Sequence, residues 1–136
     1  METIITDMPD PKDEEFVISS LWARNVTIDK VDIRPLFLTF TDDTQHIIAG
    51  LVARTWCGGL EVQYLWADKA HRQSGLDHRR MKQAEAEAIK CGCHMAYVDT
   101  FSFQAKGFYH KLGYQVYGKL AEYAYKHTRH SLAKNL

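Results

Sequence analysis

"AHRQSGLDHRR", residues 70–80, is the junction on which the fold turns. The apolar stretch "LEVQYLWA" (60–67) ends just before it, and "DHRRMKQAEAEAIKCG" (77–92), rich in Ala, Glu and Lys, begins inside it. Alternation predicts that 60–67 is a strand. Leu60, Val62, Tyr64 and Trp66 point one way; Glu61, Gln63, Leu65 and Ala67 point the other. The second stretch predicts a helix stopped at Gly92, with Leu76, Met81, Ala84 and Ala88 as its apolar stripe. A strand, a Gly-containing turn and a helix N-terminus make a generic anion site, because the first helical N–H groups lack partners and the dipole favours negative charge. Asp77 stands at the mouth of that site. One Gly alone does not separate such a cradle from an ordinary strand–helix connection.

Outward from the junction, "HMAYVDTFS" (94–102) predicts the next strand and "FQAKGFYHKLG" (103–113) a short helix ending at a Gly. "YQVYGKLAEY" (114–123) and "HTRHSLAKNL" (127–136) predict a closing pair of strands. Upstream, "PLFLTFTDDTQHIIAGLVARTW" (35–56) predicts a hairpin about "DDTQ", followed by a turn at "CGG" (57–59). "DPKDEEFVISSLWARN" (10–25) predicts an amphipathic helix of about 12 residues carrying Phe16, Val17, Leu21 and Trp22. "TIIT" (3–6) predicts a short edge strand. Strand–helix–strand units force some parallel pairing and hairpins force antiparallel pairing, so the expected fold is a mixed α/β (α+β) sheet in one domain, residues 1–136.

Composition excludes several classes. The chain has 136 residues, 46% hydrophobic and 25% charged, which suits a globular core. Seventeen basic residues balance seventeen acidic ones, so no global field favours nucleic acid or anionic lipid. No apolar run is long enough to span a membrane, and no signal peptide is expected. Cys57, Cys91 and Cys93 are odd in number and predict reduced thiols in a cytoplasmic protein. "CGCH" (91–94) lacks a second pair at metal-ligand spacing, so no metal is expected.

Two motifs carry a resemblance. "RQSGLD" (72–77) resembles the Q/R-x-x-G-x-G/A signature of the GNAT superfamily of acyl-CoA N-acyltransferases. "FYHKLGY" (108–114) resembles its helix-to-strand segment, and the chain looks like the bacterial small-molecule and antibiotic acetyltransferases of that group. The resemblance runs from about residue 46 to 134; residues 1–45 follow it by element order only. It implies a mostly antiparallel sheet splayed at its middle strands and flanked by helices, with acetyl-CoA as co-substrate and a small-molecule primary amine as acceptor. Amides of Arg72, Gln73, Ser74, Gly75, Leu76 and Asp77 would hold the pyrophosphate. Main-chain groups of Leu65, Trp66 and Ala67 would pair with the pantetheine in the splay. Tyr109 matches the family's acid for the leaving thiolate, a phenol of ordinary pKa near ~10. Glu61 matches a catalytic Glu found in some members, as base or amine guide, with Asp99 as the alternative base. Ser102 falls where a coenzyme-contacting Asn is common. Gln63 shares the cleft-facing side, and Tyr123 and His127 lie in the loop that borders the acceptor. A homodimer through the last strands is expected from family habit alone.

Two residues depart from the pattern. Asp77 replaces a small residue, and its carboxylate would cost about 1–3 kcal/mol against each phosphate charge at roughly 5 Å. As an N-cap it would also occupy amides that a phosphate needs. Arg80 replaces an apolar residue; it can snorkel to the cleft or pair with Asp77. These departures leave an alternative, an acyl-CoA-binding or regulatory protein of the same fold with weak or lost catalysis.

Overall fold

The computed structural model describes residues 1–27, 31–72, 75–104 and 106–136, which fall into two compact units, Met1–Val31 and Asp32–Leu136. The first unit holds α1 (Pro11–Asn25), longer than expected. The Asp10 carboxylate accepts from the Lys12 amide, Pro11 stands at its first position, and Asp13 and Glu14 fill its first turn, where the dipole favours acids. The helix buries none of its residues. "TIIT" is not a strand: residues 3–6 have no regular structure, and Ile4 and Ile5 are exposed. Four β-prone residues without a neighbouring strand have no ladder to join, and the Met8 amide instead donates to the Thr6 hydroxyl.

The second unit is built on six strands: β1 (Arg34–Thr41), β2 (Ile47–Trp56), β3 (Gly59–Ala67), β4 (Met95–Phe101), β5 (Gln115–Tyr123) and β6 (His127–Asn135). Their order is β1-β2-β3-β4-β6-β5, and only the β3–β4 pair is parallel. Between β3 and β4 the chain crosses through a short 3-10 turn (Lys69–His71) and α2 (Leu76–Lys90). After β4 comes α3 (Lys106–Lys111). The β2–β3 connection is a two-residue turn with Cys57 and Gly58 both at positive φ, and a Cβ on Gly58 would lie 2.8 Å from the His94 ring. The core gathers where α2 and α3 meet the sheet: Met81, Ala84 and Ala88 of α2, then Tyr109 and Leu112, pack with Leu51, Leu60, Val62, Ala96, Val98 and Leu132. Burying Met81 alone is worth about 2 kcal/mol. Lys134 of β6 holds the buried Glu85 of α2 through both carboxylate oxygens, at 2.9 and 3.0 Å, and fixes the helix over the sheet. No helix among the described residues is long and apolar enough to cross a membrane.

One irregularity makes the site. On β2, Ala53 pairs with Val62 and Val52 with Tyr64, so Gln63 has no partner there and forms a bulge. A bulge bends its strand and increases local twist. The β3–β4 ladder accordingly ends at Val62↔Val98. Beyond it β3 stays with β2 and β4 stays with β6, and the two strands fork. The bulge also reverses the expected alternation. Tyr64 and Trp66 are exposed while Leu65 is half-buried and Ala67 buried, and Glu61 shares a face with Tyr64 and Trp66 rather than with Leu65 and Ala67.

Candidate active site

The fork opens into a cavity of about 270 Å³ lined by residues 62–66 of β3, Val98, Asp99 and Thr100 of β4, Gln104, Phe108, Tyr109 and Asp77. On its β3 side, Leu65 to Ala67 lie past the last β4 pairing, so their backbone faces a gap in the sheet. The turn above it is tied down from below. The Asp68 carboxylate accepts from the His71 amide at 2.9 Å, and Arg72 Nε donates to the Ala67 carbonyl at 3.3 Å. Gln73 and Ser74, expected in the cradle, lie outside the described residues. Gly75 is left-handed at φ 81°, with none of the described residues within 4 Å of where a Cβ would stand. It is the N-cap of α2 and itself supplies no side-chain bond to the first amides of the helix.

Asp77 is therefore not the cap. It is the second residue of α2, in a first turn that suits an acid. Its carboxylate forms an ion pair with Arg80. Of the two arrangements open to Arg80, the pair is the one adopted, and the guanidinium does not reach the cleft: it is fully buried. Nη1 donates to the Trp66 carbonyl at 2.8 Å, and the group lies 6.0 Å from the Phe40 ring centroid. A cation thus sits beneath the carboxylate that was expected to repel phosphate.

Tyr109 is buried on α3 between the rings of Phe108 and Tyr114 and lines the slot. Burial pushes its phenol up to about 12, against the opposing pull of the Arg80 charge. Ser102 is turned elsewhere: its hydroxyl accepts from the Thr128 amide at 3.1 Å and so ties β4 to β6. The polar side chain at that end of the slot is Gln104, whose carbonyl oxygen accepts from Phe101 N at 3.0 Å and Thr100 Oγ1 at 3.3 Å. Only the fork itself distinguishes Gln104 from its neighbours in "SFQ".

A second cavity of about 230 Å³ lies at the same fork, lined by Glu61, Val62, Gln63, Tyr64, Tyr97, Val98, Asp99 and Arg129. Five of these residues, Val62, Gln63, Tyr64, Val98 and Asp99, also line the slot, so the cavities meet there. Glu61 is ion-paired with Arg54 across β2–β3 at 2.5 Å, and Asp99 with Arg129 across β4–β6. Trp56 Nε1 donates to the Tyr97 hydroxyl at 3.1 Å, and burial raises that phenol. Tyr123 and His127 stand beside this cavity rather than in its wall. The Tyr123 hydroxyl is 3.4 Å from Arg129 Nη1, and the His127 ring packs edge-on to Phe103 at 4.7 Å. Sequence reasoning missed Arg54, Tyr97 and Arg129, because only strand order brings them to Glu61 and Asp99. Among the described residues no His/Cys/Asp/Glu cluster could hold a metal, and the three cysteines are free.

Residues 2–114 match the family model described as acetyltransferase (GNAT) family. An acetyltransferase of Agrobacterium fabrum is 33% identical over 121 residues, 88% of each chain. The blasticidin-S acetyltransferase of Streptomyces morookaense is 34% identical over 110 residues, 78% of this chain and 81% of its own. A crystal structure of an acetyltransferase from Agrobacterium tumefaciens superposes with a TM-score of 0.94 over all of both chains, at 31% identity.

Proposed function

The chain belongs to the GNAT acetyltransferase family, acetyl-CoA-dependent N-acetyltransferases, and on that premise we propose that it moves an acetyl group onto the primary amine of a small molecule by direct attack. The observation that carries this reading is the fork at Val62↔Val98, where a slot holding Tyr109 meets a polar cavity holding Glu61. A relative named for an antibiotic supports a small-molecule acceptor.

The free edge of β3 over Leu65–Ala67 is suited to receive an amide-bearing arm as an added strand. The left-handed Gly75 N-cap and the first turn of α2 suit a pyrophosphate, and Arg80 offsets the charge of Asp77. The thioester supplies the activated acetyl carbon. Glu61 orients the amine and accepts its proton, directly or through one water. Glu61, held by Arg54 across the β2–β3 pair, then passes that proton on to solvent. The N–C bond forms, the C–S bond breaks, and the electron pair goes to sulfur. Tyr109 donates to that sulfur and recovers a proton from solvent after release. Transfer from a phenol near 12 to an ordinary thiolate near ~8.5 would be uphill by about 5 kcal/mol. The burial that raises the phenol also desolvates the departing sulfur and narrows that gap.

The test is thiol release from acetyl-CoA over a panel of primary amines, with the native chain and Tyr109→Phe. Turnover that falls steeply in the variant supports the assignment; undiminished turnover removes Tyr109 from the mechanism. Asp77 on the slot wall favours one second reading, a protein that binds acyl-CoA with weak or lost catalysis. Calorimetric binding of acetyl-CoA without thiol release from any amine would favour it.

A further inference from the structure

The cavity beside the slot carries charges of both signs. Its wall carries Glu61, Asp99 and Arg129, and Arg54 holds Glu61 from behind. Two carboxylates face two guanidiniums, so the formal charge is zero. Such a site gives a polycationic acceptor no field to enter along. We infer that the acceptor is amphoteric: a small molecule bearing both a primary amine and a carboxylate, with the carboxylate on Arg129 and the amine toward Asp99 and Glu61. This rests on the acetyltransferase reading and names the substrate class of the same site.

Arg129 is placed for that role. It pairs with Phe101 in the β4–β6 ladder, one pleat from Asp99 on the same face, which puts its guanidinium in the cavity wall. Its side chain is 37% exposed, so a ligand can reach it. Nη2 is engaged by Asp99, and Nη1 reaches the Tyr123 hydroxyl only at 3.4 Å. A guanidinium has five N–H donors in a fork that matches a planar carboxylate. Half-exposed pairs of this kind hold their partners weakly, so an incoming carboxylate can share the fork without displacing Asp99. Asp99 lines both cavities, so an amine on its far side stands where the slot opens. Amine and carboxylate are thereby drawn to neighbouring groups, which selects a compact molecule that carries both.

The experiment compares 4-aminobutyrate, its methyl ester and a polycationic aminoglycoside, by thiol release from acetyl-CoA and by calorimetry in the presence of coenzyme A. The amino acid is expected to exceed its ester about 10-fold in kcat/KM and in affinity, the size of one charge-assisted contact. Arg129→Gln should level the two, and Arg129→Lys should keep part of the preference. An ester equal to the acid, a preferred aminoglycoside, or an Arg129→Gln variant that keeps the preference overturns the inference. Should no acceptor release thiol, the acetyltransferase reading fails. The amphoteric site then stands if calorimetry still ranks acid over ester, and falls if it does not.

Discussion

Arg80 and Asp77 form an ion pair one turn apart on α2, with the guanidinium fully buried and the carboxylate on the wall of the slot. Both residues are unexpected in the signature that the sequence resembles, and the structure joins them. Asp77→Gly alone leaves a buried guanidinium whose remaining hydrogen-bond partner among the described residues is the Trp66 carbonyl, and should cost about 2–4 kcal/mol of stability. Arg80→Leu alone leaves the carboxylate uncompensated beside the pyrophosphate and should weaken acetyl-CoA binding about 10-fold. The double variant should recover stability to within about 1 kcal/mol and bind more tightly than either single variant. Thermal unfolding and calorimetry of the four proteins form a double-mutant cycle, and simple additivity would deny the coupling.

Tyr109 is raised to about 12 by burial. Its phenol is therefore protonated across the working range, and no fall in kcat between about pH 7 and 10 should arise from it. Tyr109→Phe should lower kcat about 100- to 1,000-fold, the usual size of one lost general acid, with a KM for acetyl-CoA that changes much less. Because the Arg80 charge pulls the phenol downward, Arg80→Met should raise it further. Spectrophotometric titration of the phenol in both backgrounds reads this directly, and an unchanged midpoint would separate the two groups.

What could be read in the sequence was local. The Gly-containing turn at Gly75, the helix after it, and "FYHKLG" as a short helix ending at a Gly all follow from chain-neighbour chemistry. The bulge at Gln63 did not, because it exists only as a mismatch between β2 and β3. It changed which residues of β3 share a face with Glu61. The pairing of Asp99 with Arg129, thirty residues on, required β6 to lie beside β4 rather than β5. "TIIT" has strand propensity, and propensity without a neighbour leaves it irregular.

His130 is buried on β6, opposite Thr100 and Lys119, and its Nδ1 has no hydrogen-bond partner among the described residues. Burial lowers its pKa, and Lys106, Lys119 and His110 push in the same direction. The folded state thus binds a proton less readily than the unfolded chain. The contribution of neutral His130 is present above the ordinary imidazole pKa near ~6.5 and is lost as pH falls through the depressed folded value. Unfolding midpoints measured from pH 8 to 5 should decline toward acid, and His130→Gln should flatten that decline. A native curve with the same slope as the variant would assign the loss to other groups.

Gly75 separates strain from occlusion. At φ 81° an Ala strains the backbone by about 1 kcal/mol, yet none of the described residues comes within 4 Å of its Cβ. Asn tolerates the left-handed region better than Ala, so Gly75→Asn should be the more stable of the two variants. Gly75 caps the helix end where the pyrophosphate is proposed to sit, and either side chain would crowd a ligand that passes close to it. Both variants should therefore weaken acetyl-CoA binding by about 10-fold or more, although their stabilities differ. If affinity instead followed stability, with Asn near native and Ala low, the loss would come from strain in the loop. Gly75 would then shape the turn without the ligand passing close to it. Calorimetry with acetyl-CoA and thermal unfolding on the same three proteins distinguish the two outcomes.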